Sequence, residues 1–340
     1  MKGFLAFLSL IYQRGCQLKN FFYRIHLFRP QKSSLPVISI GNIAFGGAEK
    51  TPAAMAVLAI LLRHGYKPAL VTRGYKGKWE KRGGILSDGK DILGTWADSG
   101  DEAYMIARNF PQAGVFVGKS RVSSCRKAYS LGFDVAILDD GFQHRKLFRN
   151  CDIVLHNPEK RLPLREPISS LKRAHILLLK EDVPDTGSPM LFKALLSLKT
   201  YTYSVENQGF YSFDGRTHIK PEVLKTKKIL AFCGIARPER FLTLLDTAGI
   251  KPCSFLTFRD HHAYPSSTLT KLRSAFQAHE ADVYLTTEKD AVKLGNLEMF
   301  RDDLAFYVKI GLEIQDAFET QILSYLGRTK GGQREDTFLT

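Results

Sequence analysis

The chain alternates strand-like and helix-like segments in a pattern that predicts an α/β protein of two lobes, joined by a β-rich connection and preceded by an amphipathic helix. Three observations carry this expectation. The chain has 340 residues, enough for about two domains of ~150 residues. Short β-branched runs alternate with helical stretches from residue 36 to 180 and again from 229, the signature of parallel sheets with crossover helices. Between these stretches the texture changes, with turns at Pro184-Asp185, Asn207-Gln208-Gly209 and Asp214-Gly215 and an alternating run Thr200–Val205.

The N-terminus comes first. Gly3 to Gln13 is an uncharged, mostly apolar run, about half of the ~20 residues that cross a bilayer. Lys2 gives it the start of a signal peptide, but Arg14-Gly15-Cys16 offers no small-x-small cleavage site. Apolar residues recur at Leu18, Phe21, Phe22, Ile25 and Phe28, punctuated by Arg14, Lys19, Arg24 and Arg29, and Pro30 ends the run. Residues 3–29 therefore read as a basic, aromatic-rich helix lying in the membrane interface. Each of its cations is worth ~1 kcal/mol near an anionic surface. A helix packed on the core and a cleaved signal are the plainer alternatives.

In the first lobe, strands are expected at Pro36–Gly41, Pro68–Arg73, Gly114–Gly118, Asp134–Leu138, Asp152–His156 and His175–Lys180. Helices are expected at Thr51–His64, Gly100–Asn109 and Ser120–Leu131. In the second lobe, strands are expected at Ile229–Cys233, Cys253–Phe258, Asp282–Thr287 and Leu304–Lys309, with helices at Arg237–Ala248, Ser266–His279 and Ile314–Leu326. The last dozen residues read as a frayed tail.

Charge narrows the function. Against 34 Asp+Glu stand 49 Lys+Arg, a net +15, so the surface seeks anions: nucleic acid, an acidic membrane or a phosphorylated substrate. The basic residues are dispersed and carry no nucleic-acid-binding signature, so nucleic acid is not an expected partner. The five cysteines form no CxxC or CxxH pair, which argues against zinc and iron–sulfur sites and fits a reducing compartment.

Two motifs carry the chemistry. Gly41 to Pro52 (GNIAFGGAEKTP) follows a strand and opens a helix, as a phosphate-binding loop must. Lys50 would reach the β/γ-phosphates and Thr51 would ligate Mg²⁺, with Gly46, Gly47, Ala48 and Glu49 lining the nucleotide. Glu49 opposes this reading, because it adds a side chain and a negative charge; a glycine turn capping a helix is the bland alternative. Asp134 to Asp139-Asp140 (DVAILDD) is an apolar strand ending in two carboxylates, an arrangement that holds Mg²⁺ beside such a loop. Three further groups remain open between structural and functional roles. These are Asp98 to Glu102 at a helix start, Arg259 to Tyr264 with two histidines beside an acid, and Leu162 to Pro167 with an Arg–Glu pair between prolines.

Together these segments resemble the tetraacyldisaccharide 4′-kinases of lipid A biosynthesis. The shared stretches are SIGNIAFGGAEKTP, VTRGY, SGDEA, VGKSR, ILDDGFQH, PLREP, AFCGIARPERF, FRDHHAY and LTTEKDAVKL, in order, from the N-terminal helix to about residue 325. The resemblance implies ATP-dependent phosphorylation of the 4′-hydroxyl of a tetraacyldisaccharide 1-phosphate, forming lipid IVA at the cytoplasmic face of the bacterial inner membrane. The implied architecture is two α/β/α P-loop-like lobes with a β-rich linker and an N-terminal membrane helix. The segments divide as 1–29 membrane-interface helix, 30–180 P-loop kinase core, 181–228 connection, 229–327 C-terminal α/β lobe and 328–340 flexible tail.

Implied roles follow the matched motifs. ATP and Mg²⁺ are the cofactors, the glycolipid and an anionic membrane surface the partners. Lys50 steadies the β/γ-phosphates; Thr51 and Asp139 hold Mg²⁺, with Asp140 and Glu166 as second candidates. Asp101 is the expected base, oriented by His261 in preference to His262. Arg165 neutralises charge on the transferred group, and Gln143 lies at the nucleotide. Arg73, Tyr75, His144 and His262 are expected toward the substrate. The family usually carries Gly where this chain has Glu49, a departure expected to weaken ATP binding or shift the loop. A phosphotransferase acting on a soluble acceptor and a non-catalytic membrane scaffold are the competing functions.

Overall fold

The computed structural model describes residues 14–44, 49–156, 164–181, 197–295, 297–300 and 304–327. Gly46, Gly47 and Ala48, the first half of the expected N-terminal helix and the expected tail lie outside the described residues.

A 13-stranded sheet runs through the whole chain. The strands are β1 (Val37–Asn42), β2 (Pro68–Thr72), β3 (Gly84–Asp88), β4 (Gly114–Val117), β5 (Val135–Leu138), β6 (Cys151–His156), β7 (Ile176–Lys180), β8 (Lys199–Ser212), β9 (His218–Ile219), β10 (Ile229–Cys233), β11 (Ser254–Thr257), β12 (Val283–Thr287) and β13 (Ala305–Ile314). Their order is β11-β10-β12-β13-β8-β7-β6-β1-β5-β2-β4-β3, with β9 paired to β8. β7, β6, β1, β5, β2 and β4 are mutually parallel; β3 closes that half as an antiparallel edge. β11, β10, β12 and β13 form a second parallel group.

One long strand joins the groups. The first residues of β8, from Lys199 to Tyr203, pair in parallel with β7, and Tyr203 to Ser212 pair antiparallel with β13. The expected β-rich connection is thus a strand shared by both halves. Its alternating texture has a physical cause: Tyr203 and Phe210 are fully buried while Glu206 and Asn207 face solvent.

Helices cover both faces. Lys50–Arg63 and Asp101–Asn109 pack on one face of the first half, where Ala54, Leu58, Leu61 and Ile106 meet Ile38, Ile40, Leu70 and Ile137. Arg121–Ser130 covers the other, with Cys125 and Ala128 against Phe116 and Leu138. The C-terminal helix Ala317–Ser324 returns to the first half and buries Phe318 and Ile322 there. Pro238–Thr247 and Ser266–Ala278 flank the second half. All five cysteines are free thiols.

At the N-terminus, the helical turns of residues 14–24 end sooner than the expected stop at Pro30. His26 adopts a left-handed φ of 60° and the chain folds back. Phe28 then packs edge-on against Phe22 and Tyr23, at 5.3 and 5.5 Å. Leu18, Phe21, Ile25, Leu27 and Phe28 are exposed together. The opposite side of the helix docks: Lys19 donates to the Gln143 carbonyl at 3.0 Å, and Asn20 donates to Glu166 at 2.7 Å. No helix among the described residues is long and apolar enough to cross a membrane.

The parallel order sends the loops after β1, β2 and β5 to one end of the sheet, where α/β proteins bind ligands. Gly74, after β2, makes a close approach there. Its φ is +69°, and a Cβ would lie 2.2 Å from Val117 Cγ1 and 2.6 Å from the Ser99 carbonyl. Gly74→Ala is expected to destabilise the fold by about 2–4 kcal/mol, read as a lower urea midpoint with unchanged slope. An unchanged midpoint would contradict this packing.

Candidate active site

The carboxyl ends of the central strands open onto a cleft of about 2020 Å³ whose walls come from both halves of the sheet. Pockets for one small ligand rarely exceed ~1,000 Å³, so this space suits a nucleotide with a second bulky molecule.

The first wall is β1 and its helix. The polypeptide leaves β1 at Asn42, re-enters at Glu49 with φ +50° and begins a helix at Lys50. Lys50 Nζ reaches Asp140 at 3.2 Å, and Arg165 NH1 binds the same carboxylate at 3.0 and 3.1 Å. Asp140 itself sits at φ +50°, two residues after β5. Burial would raise its pKa, but the Lys50 and Arg165 cations outweigh this and lower it.

Its neighbour behaves oppositely. Asp139 is 6% exposed, accepts from Thr72 Oγ1 at 3.2 Å and has an Oδ1 without a hydrogen-bond partner among the described residues. Burial first, then Glu102 and Asp140, push its pKa up to about 6. A cleft-lining carboxylate so biased toward protonation, with one oxygen lacking a hydrogen-bond partner among the described residues, fits a divalent cation. Thr51 Oγ1 lies in the same cleft, donating to Glu102 at 3.1 Å. Thr51 and Asp139 are the residues suited to hold such an ion.

The second wall meets the first at Asp101. This residue opens the helix Asp101–Asn109, is 5% exposed and lies with both oxygens 2.9 Å from His261 Nδ1. Burial alone would raise its pKa. The His261 hydrogen bond and the Lys289, His261 and Lys293 charges overcome that and hold it at about 2. Asp101 therefore contributes stability above pH ~4 that is lost as the pH falls toward 2.

The cations come from the helix Glu288–Leu294, which the periodicity does not reveal. Lys289 Nζ binds Glu102 at 3.0 Å and Asp260 at 3.3 Å, and stands 3.3 Å from His261 Nε2. Burial would lower its pKa, but Glu102, Asp101 and Asp260 raise it. Asp101, Glu102 and His261 have metal-ligand spacing, yet the Lys289 ammonium already occupies that negative field. Lys293, almost fully buried, bridges Asp290 at 2.8 Å and Asp101 at 3.6 Å.

The structure separates the two histidines. His261 faces Asp101 and meets the Tyr75 ring edge-on at 5.2 Å. His262 stacks on Phe258 at 4.9 Å, bonds Thr268 at 2.9 Å and does not line the cleft. Glu166 does not line the cleft either: it is 2% exposed and bound to Arg173 at 2.6 Å and to Asn20. Arg73 lines the cleft but donates to Glu80 at 2.6 Å. Gln143 donates to the Asn42 carbonyl at 2.9 Å.

Near Gln143 the cleft is strongly basic. His144 is driven down to about 4 by burial and by Arg121 and Lys19, so it is neutral at pH 7. Its Nε2 and the Arg121 Nε are buried without hydrogen-bond partners among the described residues. Lys289, Arg121 and Arg240 at the cleft, and Lys293 beside Asp101, are residues that sequence reasoning does not single out. A usable signal exists: Lys289 and Lys293 are spaced i, i+4 within LTTEKDAVKL, which sets them on one helix face.

A loop-to-helix lysine opposite paired strand-end aspartates, with a second acid–histidine pair across the gap, defines a nucleotide-dependent phosphotransferase. The family model described as Tetraacyldisaccharide-1-P 4′-kinase matches residues 1–327. The chain belongs to that family. The tetraacyldisaccharide 4′-kinase of Syntrophus aciditrophicus is 34% identical over 94% of this chain and 91% of its own. That of Desulfotalea psychrophila is 35% identical over 88% and 89%. The crystal structure of LpxK from Aquifex aeolicus, described as an "apo" form in complex with ATP, superposes with a TM-score of 0.77 at 28% identity. It covers 94% of this chain and 97% of that one.

The opposite shifts of the two acids give a test. Asp139 has its folded pKa raised from 3.8 to about 6, so its contribution is lost as pH rises through 6. Asp139→Asn is expected to raise the melting temperature of ligand-free protein at pH 8, by an amount worth about 2–3 kcal/mol, and by less at pH 5. A melting temperature that falls at pH 8 would contradict the strained carboxylate.

Proposed function

We propose that the protein transfers the γ-phosphate of ATP to the 4′-hydroxyl of tetraacyldisaccharide 1-phosphate, producing lipid IVA and ADP. The observation that carries this is the Asp101–His261 pair, 2.9 Å apart, opening on the same cleft as Lys50 and Asp139. The sugar hydroxyl attacks the γ-phosphorus as its proton passes to an Asp101 oxygen; the β–γ bridging oxygen leaves with ADP. Ionised Asp101 is ready at pH 7, since it stays charged far below neutrality. Phosphoryl transfer asks for positioning and charge neutralisation more than for a strong base. His261 orients Asp101 and shares the incoming positive charge.

Lys50 and Arg165 converge on Asp140, poised to exchange that carboxylate for phosphate oxygens. A Mg²⁺ ion bound at Thr51 and Asp139 would offset the negative charge of the phosphates. Tyr75, against His261, suits the sugar face. The unpartnered Arg121 Nε and His144 Nε2, close to Lys19, suit the substrate's existing phosphate.

The exposed aromatic face of residues 14–28 supports docking on an anionic bilayer, at the cytoplasmic face of a Gram-negative inner membrane. Because that helix contacts Gln143 and Glu166, the membrane and the cleft are held in fixed relation.

Purified protein in detergent is expected to move ³²P from γ-labelled ATP to the disaccharide monophosphate. Asp101→Ala should lower kcat by about 10³-fold or more with ATP affinity retained; a mild kcat loss with weakened ATP binding would move Asp101 into the nucleotide site. Phe21→Ser with Ile25→Ser should reduce binding to anionic vesicles while leaving turnover of a detergent-dispersed acceptor intact. Equal loss in both settings would argue for a folding role instead.

A further inference from the structure

The phosphate loop of this chain ends on a glutamate whose charge is met from the opposite half of the sheet. Glu49 stands immediately before Lys50, in the left-handed conformation, and its side chain makes no capping hydrogen bond to its own helix. The carboxylate instead turns away and is 6% exposed. One oxygen is ion-paired with Arg240 NH1 and the other accepts from the Tyr203 hydroxyl at 3.3 Å. Arg240 belongs to the helix Pro238–Thr247, 191 residues away in sequence, and both residues line the cleft.

Phosphate binding at a helix N-terminus depends on backbone N–H groups and a net positive field. A free carboxylate one residue before Lys50 would oppose that field and compete with the phosphates for the Lys50 ammonium. We propose that Arg240 is a positioning residue for ATP. By neutralising Glu49 and drawing it toward β8, it keeps the carboxylate out of the space the β- and γ-phosphates occupy. The inference rests on the kinase reading above and adds a nucleotide-affinity determinant to it. It accounts for how a carboxylate can stand at the start of this helix: the charge and the side chain are both taken up by the second half of the sheet.

The test is a double-mutant cycle on the full-length protein, with ATP and AMP dissociation constants from calorimetry and KM and kcat from phosphate transfer. Arg240→Met is expected to raise the ATP dissociation constant and KM about tenfold or more, with kcat held within about threefold. AMP, which has no β- or γ-phosphate, should bind as before. Arg240→Lys should restore ATP affinity, and in the Glu49→Gly background Arg240→Met should shift it less than about threefold. Arg240→Gln serves as a second neutral variant if the Met form does not fold. Equal losses with and without the Glu49→Gly change, equal losses for ATP and AMP, or no loss at all would overturn the proposal. Wild-type protein that bound no ATP would overturn the kinase reading and this inference with it. Wild-type binding without coupling would overturn this inference alone.

Discussion

A buried carboxylate kept ionised by cations from a distant part of the chain is the constraint around which the rest is arranged. Asp101 is 5% exposed, a setting in which an acid ordinarily takes up a proton. Its charge survives because His261, Lys289 and Lys293 converge on it from the second half of the sheet. The drop from 3.8 to about 2 corresponds to about 2 kcal/mol of stabilisation. Lys293 is itself buried, so removing Asp101 would leave an uncompensated buried charge, and such losses typically cost about 3–5 kcal/mol. The two halves of the sheet are thus bound by the same interactions that keep Asp101 ionised.

Such an electrostatic link needs a mechanical one, and β8 supplies it. A flexible linker would let Asp101 and Lys293 separate at little cost. A 14-residue strand paired on both sides does not. The helix Ala317–Ser324 adds a second tie, because it follows β13 yet buries Phe318 and Ile322 against the first half. Its Glu319 binds Arg63 and His64, at 2.5 and 2.6 Å. Cleft geometry is therefore set by main-chain hydrogen bonds and packing before any ligand arrives.

Much of this is legible in the sequence where burial is continuous. β1, β2 and β5 are buried at every position, so their apolar runs stand out, and each of these three expected strands lies within a residue of the observed one. Legibility fails where tertiary context sets the structure. Glu288–Leu294 carries four charged residues in seven, so it shows no apolar stripe; its charges are buried by pairing across the sheet, which no local pattern encodes. β13 continues to Ile314, past the expected end at Lys309, because its partner in β8 is long. Apolar residues continue to Phe28 and so extend the expected N-terminal helix to Arg29, but Phe28 finds a better surface on Phe22 than on a further helical turn. At the site, the motif residues Lys50, Asp101, Asp139 and His261 are visible individually. Their partners Lys289 and Lys293 are not, since pairing is a property of the folded chain.

The two aspartates of the cleft illustrate why a strongly cationic protein needs local exceptions. Asp101 and Asp139 are about equally buried, at 5% and 6%, yet their pKa values move in opposite directions, to about 2 and about 6. Burial acts alike on both, so neighbours decide. Asp101 is surrounded by ammonium and imidazole groups, whereas Asp139 sees Glu102 and Asp140, with Lys50 only partly offsetting them. The first environment is complete in the protein itself and suits a group whose charge must be present before substrate binds. The second is incomplete, and a positive ion entering beside Asp139 would relieve it. Such a division would let one cleft accept a highly negative ligand with its counter-cation without disturbing Asp101: a positive ion would settle where negative charge is in excess, and Asp101 stays where its charge is already balanced. On this account the net +15 of the chain is not spread evenly through the site. It is withheld from Asp139, and that local deficit leaves the carboxylate poised to accept a positive ion.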